Sequence, residues 1–476
     1  MLHRTTRAER AIFLLIAVTT LLLALLTPPF QVPDEPQHFS KAVHLAQGHL
    51  FAERINGKVG GMEPRGFADL SEQYFPVGWI GQRSEYSLSD VKVAAATRPS
   101  DGDPVFMPFP NIASYAPTLY LPQAVAIALG RLVAMPPLAI FYLARLVNAL
   151  AALALLALAV RAIPFGRTVL LSVAALPTVA YHAGSVSPDA TINGLGFATI
   201  ALSIRAGYAQ RQHVHAKSLA VVAVLLALCK GIYAPIALAG ARRGRLPLIL
   251  GATVVGVVAF LLWTRAAGGD QPVYDIISRK TGKLVSTAPL SAQLKVVTAA
   301  PFTFLRVLAT SIVERSPVYG LQIVGRLGWN AILLPLVAYP LALAMLAAGV
   351  VAGGGRVLPL WSRGWWIAIA VGVGLLIEVA MYLTGTPLGA WYVQGTQGRY
   401  FLPVLPLIGL ALMPRRCKRD TRETAGRALF GAALLLHVIA IGTVADSFWI
   451  HGFTTPNGMP THRSVLNAMF LPSPRW

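Results

Sequence analysis

Asp34 and Glu35 stand side by side in "PPFQVPDEPQHF", residues 28–39, directly after an apolar run that ends near Thr27. A carboxylate held at such a lip can take a proton from a hydroxyl as it attacks, a general-base role worth about 10²- to 10⁴-fold in rate. Three further polar positions fall at the ends of other apolar runs: Asp189 in "SVSPDATING", Lys230 in "LCKGIYAP", and Arg399 with Tyr400 in "QGTQGRYFLP". Arginine grips a phosphate through two parallel hydrogen bonds, whereas lysine adds a point charge. Arg399, Lys230 and Tyr400 are therefore candidate phosphate-binding residues, and Asp189 is a second acidic site. His38, four residues after Asp34, and Gln397, two before Arg399, are candidate substrate contacts. Charges at membrane depth are costly unless they face water, a partner or a substrate, so charges gathered at one level predict a polar cavity under the outer surface. The same residues admit plainer roles: a helix cap by Glu35 or Asp34, an Arg399–Asp189 ion pair or a lipid anchor, and a local hydrogen bond for His38.

The elements that would position these residues are membrane helices. Of the 476 residues, 55% are hydrophobic and only 12% charged, with a mean hydropathy of +0.61. A soluble domain carries about 25% charged residues. Spanning helices need about 20 apolar residues. On that scale the candidates lie near 11–27, 139–160, 168–184, 190–206, 217–229, 231–240, 246–265, 329–351, 364–383, 400–413 and 427–446, about eleven in all and several of them short. The pair around Lys230, Gly231 and Pro235 reads as a helical hairpin. The expected fold class is an all-α integral membrane protein, one polytopic domain over residues 1–476.

The formal net charge of +21 is distributed between apolar runs, not clustered on a soluble face, which excludes nucleic acid as a partner. Lys and Arg accumulate on cytoplasmic loops. Placing the N terminus inside puts Arg4, Arg161, Arg167, Arg205, Arg211, Arg242, Arg243, Arg245, Arg356, Arg363 and the cluster "PRRCKRD" on the inner side. Two long outer segments follow, 28–138 and 266–328, with an outer C-terminal tail at 447–476. To keep this bias, "LYLPQAVAIALGRLVAM" (119–135) must lie in the interface or re-enter from outside. The stretch "SAQLKVVTAAPFTFLRVLATSIVE" reads as an interfacial helix broken near Pro301. "PQHFSKAVHLAQG" reads as a short helix with Pro36 at its start and Gly48 past its end. Cys229 in an apolar run and Cys417 in the basic cluster predict neither a disulfide nor a cysteine-ligated metal. The basic head and apolar run of 10–27 lack a small-x-small cleavage site, so the segment is expected to be retained.

Taken in order, "PDEPQHFSKAVHLAQG", "SPDATIN", "IVGRLGWNAILLP" and "QGRYFLP" resemble a bacterial family of predicted membrane proteins known only as a domain of unknown function. That family is similar to the GT-C glycosyltransferases, which include protein O-mannosyltransferases and lipid A aminoarabinose transferases. The resemblance implies a GT-C-like enzyme of the bacterial inner membrane. It would transfer a sugar from a polyprenyl phosphate donor to a glycan, lipid or protein acceptor on the outer side, with inversion. It further implies Asp34 as the base, Glu35 as its neighbour for positioning or capping, and Arg399 near the donor phosphate. Some of these relatives bind a divalent metal between the first-loop acid and a second acid, for which Asp189 is the counterpart. The sequence shows no Asp-x-Asp pair at either place, so no cofactor is expected and a metal is doubtful. A transporter or flippase of lipid-linked sugars and a non-catalytic member of an envelope polysaccharide complex are the rival readings.

Overall fold

A computed structural model describes residues 6–79, 87–96, 103–208, 216–241, 246–268, 273–278 and 283–450. The expected outer tail beyond residue 450 lies outside the described residues, as do Arg4, Arg211, Arg242, Arg243 and Arg245. The protein is predominantly helical, because an apolar run in lipid must satisfy its backbone groups within itself. α1 (Arg7–Leu26) starts at a capping box: Glu9 N–H donates to Thr6 Oγ1 at 3.1 Å and Thr6 N–H donates to the Glu9 carboxylate at 2.8 Å.

After α1 the chain builds a lobe at one end of the bundle. It comprises α2 (Glu35–Ala46), the antiparallel sheet of β1 (Glu53–Ile55), β2 (Lys58–Glu63) and β3 (Val105–Pro108), and the helices α3 (Arg65–Trp79), α4 (Leu88–Ala96) and α5 (Leu121–Leu132). The sheet is an addition to the all-α expectation. Its β1–β2 turn is Asn56–Gly57, both at positive φ (50° and 76°), the pairing that matches the twist of a two-residue hairpin. α5 has 12 residues, short of a crossing.

The bundle follows with α6 (Pro137–Ala162), α7 (Arg167–Ala174), α8 (Pro177–Ala183), α9 (Asp189–Tyr208), α10 (Ala216–Cys229) and α11 (Leu246–Ala266). Beyond the β4 (Asp275–Ile277) and β5 (Leu284–Ser286) ladder come α12 (Leu290–Ala299) and α13 (Pro301–Gly325). A tight turn, α14 (Gly328–Ala331), lies between β6 (Arg326–Leu327) and β7 (Ile332–Leu333). α15 (Ala338–Ala352), α16 (Leu360–Gly385), α17 (Leu405–Leu412) and α18 (Arg419–Ala445) complete the chain.

Among the described residues five helices are long and apolar enough to cross a membrane: α1, α6, α11, α16, and α18 with its continuation to Ile450. α12 and α13, bent by 106° where Pro301 removes a backbone donor, make a sixth if they form one span. The other expected spans are broken or short. Pro177 opens α8 just after α7 ends. The 231–240 run is a 3₁₀ helix containing Pro235, and Pro403 lies in a 3₁₀ segment, Gly398–Val404, ahead of α17. The 329–351 run becomes helical only at Ala338, because Trp329 and Asn330 hold positive φ (32° and 63°). α9 has 20 residues, but Asp189 to Ile204 are all buried in protein, making it the central helix of the bundle.

The two ends of the bundle differ in charge. Arg161, Arg167, Arg205, Arg356, Arg363 and Arg422 share one end, where Arg205 donates to the carbonyls of Arg161 and Ala162 and Arg363 to that of Ala411. The α2 lobe occupies the opposite end. Within that lobe Glu63 is buried, and burial pushes its carboxyl from an ordinary 4.5 up to about 8, opposed only in part by the Ser40 hydroxyl. Because the folded pKa is raised, the contribution is complete below the unfolded value and is lost as pH rises toward 8. Between pH 6 and 8 the wild type is expected to lose roughly 2 kcal/mol through this group. Glu63→Gln should flatten that slope in unfolding curves followed across the pH range. A slope unchanged in the variant would contradict this account.

Candidate functional site

Asp34 is the N-cap residue of α2 at φ 64°, and Phe30, four residues earlier, also has φ 64°. Left-handed backbone at a non-glycine residue persists only where its surroundings over-determine it. Here they do. Trp329 Nε1 donates to Phe30 O at 2.9 Å, Tyr181 Oη to Gln31 O at 3.0 Å, and Gln31 Nε2 to Tyr74 O at 2.9 Å. Arg145 of α6 donates to the carbonyls of Ala24, Thr27 and Pro28, and the Phe30 ring packs among Phe39 and Phe141.

The two adjacent carboxylates go to different places. Glu35 is fully buried and takes both prongs of the Arg145 guanidinium, at 2.8 and 2.6 Å. It also accepts the Val186 N–H at 2.8 Å, tying the start of α2 to the loop before α9. The capping role expected for one of the pair is not found, since the cap of α2 carries no side-chain hydrogen bond. Glu35 is thus engaged through both carboxylate oxygens within the fold. Asp34 turns outward, its side chain 31% exposed, and its Oδ2 accepts from Arg399 Nη2 at 2.9 Å.

Arg399 also faces Asp189, with Nε 3.3 Å from Oδ2, so one guanidinium bridges acids 155 positions apart in the chain, 34 and 189. Its Nε and Nη1 are buried without a hydrogen-bond partner, and its plane lies over the Tyr400 ring at 5.4 Å. Gly398 brings this segment against α13: its N–H donates to Gln322 Oε1 at 2.7 Å, and a Cβ there would meet Tyr319 O at 2.3 Å. Asp189 opens α9 with His182 Nδ1 at 3.7 Å. The preceding loop is held by Asn148 of α6, which donates to the carbonyls of Ser185 and Ser187 at 2.7 and 3.1 Å. Arg145 and Asn148 are one helical turn apart on the same face of α6. That face fixes both acidic segments.

The other candidates distribute around this core. The Lys230 ammonium lies over the rings of Tyr400 and Tyr115, at 4.7 and 5.2 Å. His38 Nδ1 meets Tyr120 Oη at 2.8 Å. Burial lowers the His38 pKa to about 4, against the opposing pull of Asp34 and Asp189, so the imidazole is neutral at pH 7. Gln397 lies behind the core, accepting from Asn330 Nδ2 at 3.3 Å. Arg145, Asn148 and His182 join the site without having been sequence candidates. Of these, Arg145 carries a legible signal, a lone charge within the apolar run 139–160.

The donor set does not fit a divalent ion between the two acids, because the Arg399 guanidinium already bridges Asp34 and Asp189, and a second cation there would be repelled. Two cavities among the described residues stand apart from this cluster: an apolar one of about 30 Å³ among α1, α6, α8 and α9, just below Asp189, and one of about 280 Å³ at the arginine-rich end. Within the cluster Asp34 keeps 31% of its side chain accessible, against 5% for Arg399 and 11% for Asp189.

These features define a polytopic helical membrane protein with a cluster of buried and half-exposed charges under a small lobe at one end. Residues 17–408 match the family described as predicted membrane protein (DUF2142), and the chain belongs to that family. No curated protein and no solved structure matches the chain.

Proposed function

We propose that the protein is a GT-C-like membrane glycosyltransferase that moves a sugar from a polyprenyl phosphate donor to an extracytoplasmic glycan, lipid or protein. The observation supporting this reading is one half-exposed carboxylate, Asp34, held 2.9 Å from an arginine that also pairs with Asp189 and keeps its Nη1 buried without a hydrogen-bond partner. In the proposed step the acceptor hydroxyl attacks the anomeric carbon and Asp34 takes its proton. The bond from that carbon to the phosphate oxygen breaks, and polyprenyl phosphate departs with the electron pair. A phosphate leaving group needs no partner acid, unlike the alkoxide of a glycosidase. It needs positive charge, which Arg399 and Lys230 supply, with Tyr400 beside them.

The proposed setting is the bacterial inner membrane, with the N terminus cytoplasmic, the C terminus periplasmic, and the broken helices completing about eleven crossings. The arginine-rich end then faces the cytoplasm, as the positive-inside rule requires. A transporter would gather ionisable groups near the midplane. Glu378, the acid within α16, lies seven residues before the end of that helix at Gly385, about 10 Å along the axis. It accepts from Thr396 at 3.1 Å, near the level of Arg399. Lipid and glycan mass spectrometry of cells with and without the protein tests the proposal. A sugar-bearing polyprenyl phosphate should accumulate in its absence while one glycan or lipid loses that sugar. Unchanged profiles would count against transfer.

A further inference from the structure

At the arginine-rich end, the cavity of about 280 Å³ opens where the end of α6, the start of α7, the loop after α15 and the start of α18 meet. Arg167, Arg356 and Arg422 line it against a single acid, Glu9, which lies 3.8 Å from Arg167. A topological signal requires only that basic residues sit in these loops. It does not require three of them to converge on a hollow, nor does it explain their fixed planes. Arg356 stacks on the Phe165 ring at 4.6 Å, and its N–H groups have no hydrogen-bond partner among the described residues. Arg422 is oriented by its Nε donating to Ala352 O at 3.3 Å, which leaves both terminal nitrogens available.

The lining loop Gly353-Gly354-Gly355 looks like a phosphate cradle but is not one. Its three N–H groups already donate to Gly349, Val351 and Pro414. Its glycines serve packing: a Cβ on Gly354 would meet Pro414 at 2.5 Å, and Gly355 holds φ +93°. Recognition therefore falls to the guanidinium groups, whose forked donors match phosphate oxygens. The cavity is large enough for a phosphate with a glycerol-sized substituent.

We propose that this cavity is a binding site for one phosphate group, carried by an anionic lipid headgroup or by a small soluble phosphate ester. It is independent of the transfer reaction proposed for the opposite end. The test uses the purified full chain in uncharged detergent, with binding measured for dioctanoyl phosphatidylglycerol, dioctanoyl phosphatidylcholine, glycerol 3-phosphate and inorganic phosphate. The double variant Arg356→Gln/Arg422→Gln is expected to bind at least tenfold more weakly. Both side chains are exposed, so its unfolding temperature without ligand should match wild type. Arg419→Gln, which removes an exposed arginine of α18 paired with Glu423 and absent from the cavity lining, should leave binding unchanged. Tight binding of phosphatidylglycerol alone identifies the lipid source, and binding of the soluble phosphates identifies the other. Failure of every phosphate probe, wild-type affinity in the double variant, or an equal loss in Arg419→Gln would overturn the assignment.

Discussion

Asp34→Asn is expected to lower sugar transfer by about 10²- to 10⁴-fold, or about 3 to 5 kcal/mol in the barrier, while leaving the fold in place. Asparagine is the informative substitution for two reasons. It is among the few residues that tolerate the left-handed backbone found at φ 64°, and its amide oxygen can still accept from Arg399, as Asp34 Oδ2 does at 2.9 Å. What it loses is the capacity to take a proton. Alanine would confound the result, adding roughly 1 kcal/mol or more of backbone strain to the loss of a base. The measurement is turnover of the donor identified by lipid mass spectrometry, with thermal unfolding in detergent as the control for folding. Full turnover in a normally folded Asp34→Asn variant would remove Asp34 from the chemistry and the proposed reaction with it.

The parts of this protein legible in the sequence are those decided locally. α1, α6, α11, α16 and α18 follow from runs of about 20 apolar residues, and α2 from Pro36 at its start and Gly48 beyond its end. The Asn56–Gly57 hairpin carries an equally local signal, which the all-α expectation passes over. The broken helices are not legible as broken. A proline such as Pro177 or Pro403 shows where a helix can break, but whether the freed carbonyls find partners depends on neighbours distant in sequence. Thr178 Oγ1, for example, donates to Gln322 O at 2.9 Å, across 144 positions. In the site, a common depth is enough to group Asp34, Asp189 and Arg399. It does not separate Asp34 from Glu35. That separation arises because Asp34 lies outside the helix with left-handed backbone while Glu35 lies inside it, so neighbouring side chains leave in different directions. Which of the two meets a buried arginine depends on Arg145, 110 residues away from Glu35.

Arg145→Met should destabilise the protein more than any other substitution at the acidic site, by about 3 to 5 kcal/mol. The buried Glu35 carboxylate would keep only the Val186 N–H, and the carbonyls of Ala24, Thr27 and Pro28 would lose their shared donor. The arginine also lies over the rings of Phe141 and Tyr142, at 4.7 and 5.6 Å, and those contacts would go with it. Unfolding in detergent should therefore shift sharply for Arg145→Met, and less for Glu35→Gln/Arg145→Met than the two single changes predict together. Replacing a whole buried pair is often close to neutral, because the desolvation of both charges is relieved at once. Stability is thus a weak reason for the pair to exist, and geometry is a stronger one. It fastens the end of α1, the start of α2 and the loop before α9 at a single point, which sets where Asp34 stands relative to Asp189. The double variant should regain part of its unfolding temperature yet remain at least tenfold slower in turnover, with KM changed less than kcat. Recovery of turnover in step with stability would reduce Glu35 and Arg145 to packing.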